Sequence, residues 1–112
     1  MILKRCDHHG FTVSNIERSL AFYRDVLGLE LVRIAERRDL PCYDQILGYK
    51  DVALTVALLR HPADEFLLEL FTYHNPQGQS RPLDNSFVGA AHVAFEVEDI
   101  DVLYARLTEA GY

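Results

Sequence analysis

One stretch near the start of the chain returns near its end. Asp7-His8-His9-Gly10-Phe11-Thr12-Val13-Ser14-Asn15-Ile16-Glu17 is echoed by Ala91-His92-Val93-Ala94-Phe95-Glu96-Val97-Glu98-Asp99-Ile100-Asp101. At an offset of 84 residues His8 falls over His92, Phe11 over Phe95, Val13 over Val97 and Ile16 over Ile100. Asn15 and Asp99 also match, both being residues that cap helix N-termini. Self-similarity at a fixed spacing marks a repeated supersecondary unit. Each copy reads as a strand running into a capped helix. Side chains alternate along a strand, so His8, Gly10 and Thr12 take one face and His9, Phe11 and Val13 the other. In the second copy His92, Ala94 and Glu96 oppose Val93, Phe95 and Val97. The large apolar side chains are expected to pack on the helix. A histidine then opens the small-residue face of each copy, and two histidines so placed suggest a metal site on a pseudo-two-fold axis.

Between the copies the pattern predicts a full βαβββ module over residues 1–73. The first strand runs from Lys4 to Val13. Ser14 or Asn15 caps a helix whose stripe is Ile16, Leu20, Tyr23 and Leu27, and Gly28 ends it in the left-handed conformation. Strands follow at Leu29–Ala35, Val52–Leu59 and Phe66–Tyr73, with one helical turn expected at Tyr43–Leu47. In the third strand Val52, Leu54, Val56 and Leu58 form a bulky face against small Ala53, Thr55 and Ala57. In the fourth, Glu69 shares a face with Leu67, Phe71 and Tyr73. Residues 74–89, with Asn75-Pro76-Gln77-Gly78, have linker composition. An incomplete second module spans residues 90–112, with a strand from Ala91 to Val97 and a helix from Ile100 to Ala110. The expected fold class is therefore α+β, a single domain over 1–112 made of one module and the opening of another.

Composition narrows the function. A formal net charge of −6 argues against a sequence-independent grip on nucleic acid, which needs a basic face. No apolar run approaches the ~18 residues of a membrane span, and the N-terminus has no secretory leader pattern. Cys6 and Cys42 do not make a disulfide framework and suit a reduced, cytoplasmic protein.

The residues that bear chemistry are His8, Glu69 and His92. Imidazole and carboxylate are good ligands for zinc, nickel, iron and manganese. A carboxylate whose same-face neighbours are apolar is costly unless it is paired or metal-bound. The other reading is that each is an ordinary satisfied or solvated side chain. His9 is expected on the helix side in a structural role, and His61 and His74 in solvated turns. Arg37 and Arg38 either steer an anionic substrate or mark a solvated strand end. Leu67, Phe71 and Tyr73 either line a pocket or belong to the core, and Thr12 is a possible substrate contact.

These segments carry a family resemblance. His8 to Leu29, then Leu68-Glu69-Leu70-Phe71, then Gly89 to Val97, resemble the vicinal oxygen chelate superfamily. It includes glyoxalase I, extradiol dioxygenases and bleomycin-resistance proteins. The resemblance implies βαβββ modules curled into a half-open barrel around a metal cleft. It implies a divalent metal ion held by His8 on the first strand, Glu69 on the fourth and His92 on the fifth. His8 and not His9 is the match, because it lies five residues before Val13, as His92 lies five before Val97. The family's fourth ligand, a glutamate on an eighth strand, has no counterpart. The resemblance implies a metal-dependent enzyme of glyoxalase I-like lyase or isomerase type, acting on a small molecule with two neighbouring oxygens, with Glu69 as catalytic base. The alternatives are a non-catalytic ligand-binding resistance protein and a ring-cleaving extradiol dioxygenase. The second module lacks strands to pair with its first, so a homodimer is expected.

Overall fold

A computed structural model describes residues 1–112. The chain divides into two compact units, Met1–Ser80 and Arg81–Tyr112.

In the first unit β1 (His9–Thr12) leads into α1 (Ile16–Leu20), capped by the Asn15 side chain, which accepts from the backbone N–H of Arg18. The helix widens without a break into a π-helical segment, Ala21–Val26, where the expectation was regular α-helix to Gly28. Gly28 then turns the chain at a φ of 84°. β2 (Glu30–Arg37), α2 (Pro41–Leu47), β3 (Ala53–Arg60) and β4 (Leu67–Asn75) complete the unit. α2 is longer than the single turn expected. Pro41 starts it, where its missing N–H costs nothing, and Gly48 ends it at a φ of 72°. The Asp44 carboxylate then accepts from the N–H groups of Asp51 and Val52, fixing the entry to β3.

The sheet order is β1-β4-β3-β2. β3 pairs antiparallel with both neighbours, while β1 runs parallel to β4. Parallel neighbours need a long crossover, and here the rest of the module supplies it. The junction is tightened by Val13, whose N–H donates to the Phe71 carbonyl at 2.7 Å. The Thr72 hydroxyl donates back to the Val13 carbonyl at 3.2 Å.

The core is split between the two faces of this sheet. On one face Leu20 and Leu29 pack with Ala57, Leu59, Leu68 and Leu70, joined by Phe11, Val13, Ile16 and Tyr23. On the other, Tyr43 and Leu47 of α2 cover Val52, Leu54 and Val56, with Phe71 and Tyr73 alongside. Burial along β3 therefore changes phase between Val56 and Ala57. The simple contrast of a bulky and a small face did not anticipate this. Ala57 is fully buried because it lies under α1, and Leu58 is only half-buried because α2 does not reach it. Half of the second face is thus left uncovered.

In the second unit α3 (Ile100–Glu109) is capped by Asp99, which accepts from the N–H groups of Asp101 and Val102. Val93, Leu103 and Leu107 are half-buried, while Ile100, Val102 and Tyr104 are exposed. The strand expected at Ala91–Val97 is not formed. A strand exists through hydrogen bonds to a neighbour, and this unit holds no second strand. The first strand is also shorter than the expected Lys4–Val13, because pairing with β4 begins only at His9.

Candidate functional site

The site lies on the half of the sheet that α2 leaves open. Register places Gly10 beside Glu69 and Thr12 beside Phe71. It places Leu58 beside Glu69 on the other side. Paired residues project to the same face, so His8, Gly10 and Thr12 share a face with Glu69, as the alternation predicts. His8 itself lies one residue ahead of β1 rather than within it. Gly10 keeps the floor low. A Cβ there would stand 3.3 Å from the Phe71 ring, a contact tighter than the packing easily accommodates.

His8 and Glu69 meet. The His8 Nε2 lies 3.2 Å from the Glu69 Oε2, and the Glu69 side chain is 17% exposed against 43% for His8. The other ring nitrogen of His8, Nδ1, lies 3.0 Å from Asp7 Oδ2. Asp7 is in turn held by the Arg5 guanidinium at 3.1 Å. A neutral imidazole has one N–H, so it can donate to only one of these two carboxylates. Both contacts are hydrogen bonds only when both nitrogens carry protons. A cation between Nε2 and Glu69 would take the place of one of those protons and leave Nδ1–H donating to Asp7. An imidazole ligand whose second nitrogen is oriented by a carboxylate is a common metal-site arrangement. Two donor atoms of types that bind divalent ions, the His8 Nε2 and the Glu69 Oε2, thus face each other.

Asp7 is the site residue that sequence reasoning missed. Its position next to His8 was visible, but the alternation of strand faces places residue 7 on the opposite side. It reaches Nδ1 because the chain has not yet entered the sheet at this point. The hydrogen bond from His8, with help from Arg5, holds the Asp7 carboxyl below the ordinary aspartate range. At the far end of the face, burial and then the neighbouring Tyr49 push the Tyr73 phenol up.

His92 belongs to the second unit, outside its helix, exposed beside a shallow hollow lined by Asn85, Ala90 and Ala91. Within neither unit do three His, Cys, Asp or Glu side chains gather closely enough to hold a metal ion. His9 faces the helix side as expected, its ring edge-on to Phe11 at 4.8 Å. His74 bonds Thr55 at 2.8 Å, and His61 sits by Asp64 in a turn. Arg38 pairs with Glu36 at the strand end.

Comparison with known proteins adds a family and a fold. The model of the Glyoxalase/Bleomycin resistance protein/Dioxygenase superfamily matches residues 5–112. YwkD of Bacillus subtilis (strain 168) is 29% identical over 112 residues, covering 99% of this chain and 75% of that protein. The crystal structure of a glyoxalase family protein from Bacillus cereus superposes with a TM-score of 0.87 at 25% identity. That match covers 97% of this chain and 73% of the other. The trypanothione-dependent glyoxalase I of Leishmania major, 24% identical, matches with a TM-score of 0.65 over 96% of this chain and 67% of its own. At that identity the likeness speaks for the fold alone. No helix here is long and apolar enough to cross a membrane.

The depressed Asp7 value has a defined sign. Its folded pKa lies below the unfolded one, so the stability it contributes is complete above the ordinary value of 3.8. It is lost as pH falls through the depressed value. In metal-free protein, carbon NMR of the Asp7 carboxyl should titrate below 3.8, and His8→Ala should move the midpoint up. An unchanged midpoint in the variant would contradict the Asp7–His8 bond.

Proposed function

Because the chain belongs to the Glyoxalase/Bleomycin resistance protein/Dioxygenase superfamily, we propose that it is a metal-dependent enzyme of glyoxalase-like lyase or isomerase type. Its substrate is a small molecule that presents two neighbouring oxygens. The observation that supports this reading is the convergence of the His8 Nε2 and the Glu69 Oε2 on an open sheet face, 3.2 Å apart. The proposed metal ligands are these two, with His92 as the third donor on the strength of the sequence repeat. A divalent ion bound there would polarise a substrate oxygen.

The chain's own groups have separate tasks. Asp7 holds the His8 ring by its Nδ1. In this reading Glu69, its side chain 17% exposed, removes a proton from the carbon next to a bound carbonyl and returns it one atom away. Leu58 and Phe71, register neighbours of Glu69 and Thr12, give the substrate an apolar floor.

One observation favours a second reading. In the first unit two donors, His8 and Glu69, face each other, and a pair of this kind also suits a non-catalytic binder of the bleomycin-resistance type. Thermal unfolding separates the two. An ion that binds only the folded state stabilises it by about 2.7 kcal/mol at a hundredfold excess over Kd, enough to raise Tm by several degrees. Zinc or nickel should give this rise in the wild type, and Glu69→Gln and His92→Ala should abolish it. Equal Tm values with chelator and with saturating metal would put the binder ahead.

The same proposal includes a homodimer. No strand forms over Ala91–Val97, and Ile100, Val102 and Tyr104 of α3 are exposed. Exposed apolar side chains call for a neighbour, and a symmetric pair is the commonest closed assembly. Sedimentation at micromolar concentration should show a dimer, and a single monomeric species with no concentration dependence would defeat this part of the proposal.

A further inference from the structure

The open face carries cations that the metal chemistry does not use. Register runs one row of the sheet through Arg33, Leu58, Glu69 and Gly10. The next row is Ala35, Val56, Phe71 and Thr12, and the one after it is Arg37, Leu54 and Tyr73. Residues paired across strands share a face, so Arg33 and Arg37 rise from the same side of the sheet as Glu69. Arg33 lies two strands away from Glu69, roughly 10 Å at ~4.8 Å per strand. The bulge between Leu31 and Arg33 sets this placement. It advances β2 by one residue, so that Leu31 stays with the α1-side core while Arg33 and Arg37 turn to the open face.

The arginines around them are neutralised: Arg38 by Glu36, Arg60 by Glu30 and Arg24 by Asp25. Arg33 and Arg37 have no carboxylate in ion-pair contact, in a chain whose net charge is −6. The carboxylates of the face, Asp7 and Glu69, are engaged with His8 at its other end. Half-buried Leu58 lies between Arg33 and Glu69, and the small Ala35 lies between Arg33 and Arg37 on β2. A ligand on this face therefore meets the His8–Glu69 donor pair, then Leu58, then Arg33, with Arg37 four residues further along β2 beyond the small Ala35.

We propose that Arg33 and Arg37 form an anion subsite. The substrate is then a small molecule with two neighbouring oxygens at one end and a carboxylate or phosphoryl group at the other. This rests on the metal-site reading for its oxygen end only. The guanidinium fork recognises either anion through paired N–H donors, and the more exposed Arg33 makes first contact. Of the two arginines flagged in the sequence, Arg37 serves here and Arg38 does not. Arg33 was not singled out, because the bulge that turns it to this face is not written in any strand pattern.

Hydroxamates of matched length test this. Butyrohydroxamate presents two oxygens and an uncharged tail, and succinic monohydroxamate replaces the tail end with a carboxylate. Their affinities are measured by calorimetry on the full chain with saturating zinc. The carboxylate form should bind about tenfold more tightly, the scale of one charge-assisted contact. Arg33→Gln with Arg37→Gln should erase that advantage and leave the neutral probe unchanged, while Arg38→Gln should change neither. A 3-phosphonopropionyl hydroxamate run alongside ranks the two anions. Glutarate with chelator present separates the two readings. If zinc does not bind but glutarate binding still depends on Arg33, the subsite stands and the metal site falls. If zinc binds and both hydroxamates bind alike, or the double variant keeps the preference, the anion subsite is overturned. Failure of every probe to bind overturns it as well.

Discussion

Everything at the site depends on the parallel pairing of β1 with β4. The two strands are separated by the whole of the first module, so their pairing is a long-range contact whose closure entropy the rest of the fold must offset. The α1-side core does so, with Leu68 and Leu70 of β4 fully buried and Phe11 and Val13 of the β1 stretch packed against the same cluster. The alternate side chains of the same two strands then take the opposite face. His8 and Glu69 meet because their neighbours His9 and Leu68 are paired on the core side. The core and the site are two faces of one ladder.

The uneven cover of the second face makes that ladder usable. α2 shields Val52, Leu54 and Val56 and stops short of Leu58 and Glu69. A carboxylate at this boundary is dry enough for its interactions to be strong and open enough for a ligand to reach it. Asp7, outside the sheet, orients the His8 ring from the other side, and the Arg5 guanidinium steadies Asp7. The result is a chain of contacts from Arg5 to Asp7 to His8 to Glu69.

Much of this was legible in the sequence. The alternation of His8, Gly10 and Thr12 against His9, Phe11 and Val13 gave the correct faces, because a strand with one buried side has little choice of register. Asn15, Gly28 and Asp99 marked helix ends that the structure keeps. Three things were not legible. The phase change at Val56–Ala57 depends on where two helices lie, which no local pattern in β3 records. The β2 bulge that redirects Arg33 and Arg37 is a misfit between two strands and belongs to neither alone. The segment Ala91–Val97 has strand composition, and composition cannot supply the neighbour that a strand requires.

In the proposed function the Nε2 of His8 and the carboxylate of Glu69 form one half of a metal site. X-ray absorption at the nickel edge of nickel-loaded protein tests it most directly, because imidazole leaves a distinct multiple-scattering signature. The account predicts mixed nitrogen and oxygen coordination at about 2.0–2.1 Å. The imidazole contribution should fall in His8→Ala, and the oxygen shell should change in Glu69→Gln. A spectrum with oxygen ligands only, or one that neither substitution alters, would contradict it.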